Sequence, residues 1–524
     1  MKTIDHSYMT IKKTVCPFCC YGCDFGIICD DFGIKGVEYI KEGSTGGRLC
    51  PRGSGAVWYL DHAQRISMPQ KKNRAYEWTK IFKDLRRIIA KPDQVAITFD
   101  RNITKEEYSA ITGFCNELSI EDVASSYMEP ESLLKRCGTA SLNIADIRSA
   151  EIILLIGDTF GIVPMSSKPL IEWKLADRKH RLIVIDSLHT HTSSFATDFL
   201  KVPPGVEALL LLALAHESIP GIEVDKILGI GSTQIKNIGA QLKDAAHGLI
   251  IASLPFARSF DPLLFVEGIK RIGEFTGKKI IPFVEFNGYE GKKHFGSVLA
   301  GAKNGKIKQL INFGELFPFY YPQILSDLKK TEVIATSPIK HNGYTTIPVA
   351  LNLEKQGTIN TVFGTRSLDR VIDPASGVRD VTAILNGIKE TSASSKLFHE
   401  PDVTVDIKTR GQKIAEQIRQ PKKKKSVRLF GEKVAYYFLG FLEKGSLRMN
   451  PYDAQSLGIR AGDIVSVKSK QGKTDLKASL TMDVDQNHAY IAAEDPAVRG
   501  LFEYSNDDNI ISFIPTEVEI WRKG

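Results

Sequence analysis

Between residues 94 and 337 the chain repeats one pattern. A short apolar run rich in isoleucine, valine and leucine closes on glycine, aspartate or asparagine, and a segment of helical character follows. QVAITFD, EIILLIGD, RLIVIDS, GLIIASL, KIIPFVEFN, KQLINFGE and TEVIATS are the seven runs. Strands with little polar alternation are buried on both faces, so the pattern predicts parallel sheets with crossover helices. Ligands of such sheets lie beyond the carboxyl ends of the strands. Ala208–Ala215 (ALLLLALA) is predicted as a buried helix, and no apolar run approaches the roughly 20 residues that span a bilayer. The pattern changes near the C-terminus. DIVSVKS and DLKASLTM alternate, which gives half-buried strands, and Asp453 is placed at the start of a short helix ending near Gly458. Pro421 and the run Lys422–Lys425, within RQPKKKKSVR, mark a polar linker before this β-rich tail. A docking patch for an acidic partner is the alternative reading of that run.

At 524 residues the chain is too long for one core and suggests three or four domains. Its 43% hydrophobic and 25% charged residues are the balance of a soluble globular protein. A net charge of +8 over this length does not demand a nucleic-acid partner. The opening MKTIDHSYMTIKKT has neither the apolar core of a secretion signal nor a twin-arginine pair. The expected compartment is therefore the cytoplasm, where thiols stay reduced and clustered cysteines read as ligands.

Such a cluster is present. CPFCCYGC puts four of the eight cysteines into eight residues, and Cys16, Cys19, Cys23 and Cys50 give the spacing C-x2-C-x3-C-x26-C. Three thiolates from one tight loop and a fourth from elsewhere suit a four-iron, four-sulfide cluster. Structural zinc is the alternative, but zinc ribbons pair two short knuckles. Pro17 and Gly22 favour the turn, Gly46 and Gly47 allow close approach before the fourth ligand, and Cys20 and Cys29 are left as spare thiols.

The spacing, together with Cys50-Pro51-Arg52-Gly53, resembles the N-terminal cluster domain of the molybdopterin oxidoreductase family, which includes formate dehydrogenases. The resemblance implies an α/β multidomain fold. A small 4Fe-4S domain (12–68) precedes two interleaved parallel-sheet α/β domains (69–400), a linker (401–426) and a C-terminal dinucleotide-binding β-barrel (427–524). It places Arg52 on the electron path between cluster and pterin, where a guanidinium offers positive charge and planar donors. It also implies a molybdopterin guanine dinucleotide with molybdenum or tungsten. The matching positions are Gly157, Asp158, Asp186 and Thr190 at strand ends, Gly205 and Glu207 in VPPGVEALLLLALA, Gly314 and Glu315 after KQLINF, and Gly357, Thr358 and Asn360 in EKQGTINTVFG. Asp186 is the best match for accepting a guanine edge. Other iron–sulfur or flavin subunits are implied as partners, since the sequence shows neither a second ferredoxin-type cysteine set nor a G-x-G-x-x-G fingerprint. No nucleic acid and no direct membrane span are expected.

The pattern breaks where formate dehydrogenases carry a metal-binding selenocysteine or cysteine followed by histidine. Aligned backward from Asn143-Ile144-Ala145-Asp146-Ile147, the segment SSYMEPESLLKRC puts Tyr127 in the place of the thiolate and Met128 in that of the histidine. Cys137 is the nearest thiol, and His294, in FNGYEGKKHFG, is a further catalytic candidate. Three readings follow. The chain is an electron-relaying subunit without the protein thiolate, a catalytic bis-pterin enzyme of formate/CO2 chemistry, or a scaffold stapled by its cluster.

Overall fold

The computed structural model describes residues 9–523 except 32, 61, 101–102, 127–128, 139–140, 255–256, 285–287, 315–321, 341–343, 420–425, 433–444 and 493–495. Tyr127, Met128, Glu315 and the Lys422–Lys425 run lie outside the described residues. Two compact units result. One comprises Met1–Glu129, Glu285–Asp402 and Asp508–Ile510; the other comprises Pro130–Val284, Val403–Asp507 and Ile511–Gly524.

All seven apolar runs are strands, divided between two sheets. In the first unit the parallel order is Thr345–Ile347, Glu332–Thr336, Gln309–Phe313, Val95–Phe99 and Asp122–Ser125. The two-residue strands Gln70–Lys71 and Arg74–Ala75 extend one edge antiparallel. Ile97 is level with Ile311 and Val123, and these residues form a core with Ile81, Leu85 and Phe114 from the helices Trp78–Ile89 and Lys105–Glu117. Thr104 and Glu107 close a reciprocal capping box at the start of the second helix. An antiparallel sheet of Thr10–Val15, Asp24–Asp30 and Gly33–Glu38 and a hairpin of Gly357–Thr361 and Gly364–Leu368 complete what the site needs from this unit.

The second unit holds a fully parallel sheet, ordered Asp198–Lys201, Arg181–Asp186, Ile152–Ile156, Gly248–Ala252 and Lys279–Pro282. The helix Glu207–Leu214 is apolar on nearly every face because it is buried, as predicted. It crosses helix Pro262–Thr276 where Gly268 meets Leu211. Six strands, Ser426–Glu432, His488–Ala492, Leu447–Met449, Lys473–Leu480, Ile464–Lys468 and Thr516–Arg522, close into a barrel. The short helix in the tail is Pro451–Ser456, capped by Asn450, so Asp453 lies within its first turn rather than at its start.

The stretch 401–426, expected to be a linker, carries the helix Ile407–Arg419. Gly411, Ile414 and Ala415 form its buried face. Gly411 packs on Ile219, and Arg410 pairs with Asp261 at 2.8 Å. Charged residues around a glycine obscured this face in the sequence. Among the described residues no helix is long and apolar enough to cross a membrane.

Candidate functional site

The loop from Cys16 to Cys23 is closed by a backbone hydrogen bond from Cys16 N–H to the Cys23 carbonyl, 2.8 Å long. Gly22 takes φ +63°, and a methyl group there would lie 2.4 Å from the Thr361 side chain. Pro51 begins the short helix that presents Cys50 and Arg52, and Gly53 approaches the Cys16 sulfur. Cys16, Cys23 and Cys50 are buried, and Cys19 is half-buried.

The four sulfurs act on one another. Burial, and then Cys19 and Cys50, push the Cys16 thiol up. Burial, and then Cys16, Cys19 and Cys50, do the same for Cys23. Cys16, Cys19 and Cys23, which burial and neighbouring thiols penalise as anions, are stabilised when a cation compensates their charge. Arg52, itself buried, opposes the rise at Cys16 and Cys19 and donates to the Phe18 carbonyl at 3.5 Å. Backbone N–H groups of Phe18, Tyr21 and Gly22 serve these two sulfurs. Among the described residues no three His, Cys, Asp or Glu side chains meet in an arrangement for a single metal ion. Four soft thiols beside a guanidinium and inward N–H groups are the kind of donor set that an iron–sulfur cluster would use, with Cys16, Cys19, Cys23 and Cys50 as its ligands.

In the second unit, Asp186 ends its strand against Arg258. The guanidinium donates to Asp186 Oδ1 at 2.5 Å and to Ser187 Oγ at 2.7 Å, and it lies 5.0 Å from the centre of the Tyr490 ring. Glu207 stands in the same charge cluster. Burial pushes Asp186 up to about 6 and Glu207 up to about 7, with Arg258 opposing both rises. Asp186 Oδ2 and Glu207 Oε2 are buried without a hydrogen-bond partner among the described residues. Two acceptors left open beside one arginine fit a ligand that brings N–H donors.

Gly157 and Asp158 follow the neighbouring strand. Asp158 caps a short helix and accepts from Thr192 at 2.5 Å, so its side chain is committed to the protein. Thr190 lies in the turn that follows Asp186 and is bonded to Ser193. Gly205 packs beneath Phe260.

The pH response of this cluster is fixed by sign. The unfolded chain releases the two protons near the ordinary values of 3.8 and 4.5, and the folded chain releases them near 6 and 7. Between those limits the folded state binds more protons, so this contribution to stability falls as pH rises. Glu207→Gln should therefore gain stability relative to the wild type between pH 4.5 and 7, on the order of 1–3 kcal/mol. The difference between their urea midpoints across that range checks this.

At the carboxyl ends of the first unit's sheet, Asn312 Oδ1 accepts from Thr98 and Ser126, and Asn312 Nδ2 donates to Asp100 at 3.3 Å. Gly314 takes φ +127° so close to Asp100 that a methyl group there would lie 1.7 Å from its Oδ1. Gly357, Thr358 and Asn360, matched to cofactor contacts, are engaged by the protein. Gly357 abuts Glu106, Thr358 donates to Glu106 from both N–H and hydroxyl, and Asn360 accepts from Thr365.

Two catalytic candidates are placed in structural surroundings. Cys137 ends a helix beside Lys270 and Glu267 of helix Pro262–Thr276, and burial pushes its thiol up to about 11, which disfavours a thiolate ligand. His294 is buried, with Nε2 sharing a hydrogen bond with the Pro401 carbonyl at 2.9 Å and Nδ1 3.5 Å from Glu400. Lys292 and Lys293, beside it, bond the edge strand Asp122–Ser125 and pair with Glu121 and Asp122. Sequence reasoning missed Arg258, Tyr490 and Arg366, because the partners of each are distant in the chain.

Residues 440–512 match the family described as molydopterin dinucleotide binding domain. F420-dependent formate dehydrogenase subunit alpha of Methanocaldococcus jannaschii is 26% identical over 232 residues, covering 41% of this chain and 34% of that protein. Over these segments the chain is similar to the molybdopterin oxidoreductase family. NADPH-Fe(3+) oxidoreductase subunit alpha of Geobacter sulfurreducens is 24% identical over 339 residues, 59% of this chain and 38% of its own length. The alignments thus span little more than a third of these curated relatives. Among solved structures, acetylene hydratase from Pelobacter acetylenicus shares the fold of this chain, with a TM-score of 0.73, 15% identity, and coverage of 98% of this chain and 100% of that one.

Proposed function

We propose that the chain is the 4Fe-4S-bearing, electron-relaying subunit of a multi-subunit oxidoreductase related to formate dehydrogenase alpha subunits. The observation that carries this reading is the mutual approach of Cys16, Cys19, Cys23 and Cys50 beside the buried Arg52. A cluster bound there supplies storage for one electron at a time. The chain's own residues exclude water around the thiols, turn backbone N–H groups to the sulfurs, and set the positive charge of Arg52 where reduction adds negative charge. Arg52 also matches the family's electron path. Electrons pass to or from a partner carrying further clusters or a flavin.

A second reading, a catalytic molybdenum or tungsten enzyme taking formate to CO2, a proton and two electrons, draws support from the open acceptors of Asp186 and Glu207. They suit the donor edge of a guanine dinucleotide of the pterin, with Tyr490 beside them in the matched dinucleotide-binding segment. Elemental analysis of the anaerobically purified native complex separates the readings. Iron without molybdenum or tungsten is the expected result for the relay; either metal with iron favours the catalyst. A colourless protein without iron overturns both.

A further inference from the structure

The hairpin Gly357–Leu368 is distant in sequence from the cysteine loop, yet it grips that loop at four points. Val362 N–H donates to the Cys20 carbonyl at 2.7 Å. The Thr361 side chain fills the space over Gly22, and Phe363 stands edge-on to Tyr21 at 4.9 Å between ring centres. Arg366 Nη1 donates to the Gly22 carbonyl at 3.3 Å, and its two terminal nitrogens bond both oxygens of Asp24, at 2.5 and 3.3 Å. Asp24 follows Cys23 directly. It also accepts from the Ser44 N–H at 2.7 Å, in the turn that leads to Cys50. One carboxylate therefore joins the three-cysteine loop, the arm of the fourth cysteine and the hairpin.

We propose that Asp24 and Arg366 are a positioning pair for the cysteine site, which fixes the geometry of its two arms and sets the reduction potential of the group they hold. The inference rests on the cluster assigned under the proposed function. Reduction adds one electron, and nearby fixed charge shifts its free energy according to sign. In the intact pair the charges offset each other. With Arg366 removed, Asp24 leaves a negative charge beside Cys23 and reduction becomes harder. With Asp24 neutralised, Arg366 leaves a positive charge and reduction becomes easier. A role confined to bracing the loop has no reason to produce shifts of opposite sign.

The test is a redox titration of the anaerobically purified full chain, followed by EPR, for the wild type, Arg366→Gln, Asp24→Asn, the double variant and Arg366→Lys. The midpoint should move to more negative potential in Arg366→Gln and to more positive potential in Asp24→Asn. It should return towards the wild-type value in the double variant and stay near it in Arg366→Lys. If Arg366→Gln fails to take up iron while Arg366→Lys takes it up at the wild-type midpoint, the positioning role is upheld. Unchanged midpoints, or shifts of one sign in both single variants, overturn the proposal while leaving the cluster in place. A wild-type chain without iron overturns the functional reading itself, and this inference with it.

Discussion

Replacing Cys19 with alanine should leave an anaerobically prepared protein with little iron and without the EPR signal of a reduced cluster. Cys19 is the least buried of the four thiols, and it accepts the Tyr21 and Gly22 N–H groups that turn the loop inward. Its loss opens one corner of the ligand set to water, and three thiolates do not complete the set that the spacing supplies. The same preparation separates the ligands from their neighbours. Cys20 is fully buried and its carbonyl is held by Val362, while Cys29 lies in the strand Asp24–Asp30. Cys20→Ala and Cys29→Ala should therefore both keep the signal. A Cys19→Ala protein with undiminished iron and an unchanged spectrum would show that the ligand set is wrong.

The second large effect is expected at Arg258. Methionine in its place removes the guanidinium that faces Asp186 and leaves two buried carboxyls, Asp186 and Glu207, without that cation. Breaking a buried pair by removing one partner costs about 3–5 kcal/mol. The cost should be largest above pH 7, where both carboxyls must ionise or hold protons against bulk solvent. It should shrink near pH 5, where both stay protonated in the fold. Urea unfolding of Arg258→Met and wild type at pH 5 and pH 7.5 measures the difference. Adding Asp186→Asn and Glu207→Gln to the variant should recover much of the loss, since the uncompensated charge is then gone. An equal loss at both pH values would mean that Arg258 acts through packing against Tyr490 rather than through charge.

The parts of this molecule that were legible in sequence are those whose signal is local. An apolar strand closed by glycine or aspartate announces itself within a few residues, and the runs from QVAITFD to TEVIATS became the two parallel sheets. The cysteine spacing is likewise a local signal, and it is what the proposed ligand set rests on. Arg258 was not, because LPFARSFDP gives no hint that this arginine meets a carboxylate 72 positions earlier. Arg366 and Asp24 lie 342 positions apart. The helix Ile407–Arg419 was not legible, because its buried face is built on Gly411, Ile414 and Ala415 among charged residues. Thr358 and Asn360 sit in a motif whose order resembles the family, but their side chains serve Glu106 and Thr365. A motif fixes where a loop lies more firmly than it fixes what each side chain touches.

The 342-residue gap between Asp24 and Arg366 also has a timing attached to it. At a synthesis rate of about 5–20 residues per second, roughly 20–70 s separate the emergence of the cysteine arm from the ribosome and the arrival of its clamp. Throughout that interval the cysteine arm lacks the Arg366 contact that holds Asp24 in the folded chain. If the cysteines hold iron as proposed, a clamped site is available for loading only after about two-thirds of the 524-residue chain has emerged, and anaerobic expression should then yield the highest fraction of iron-bearing protein.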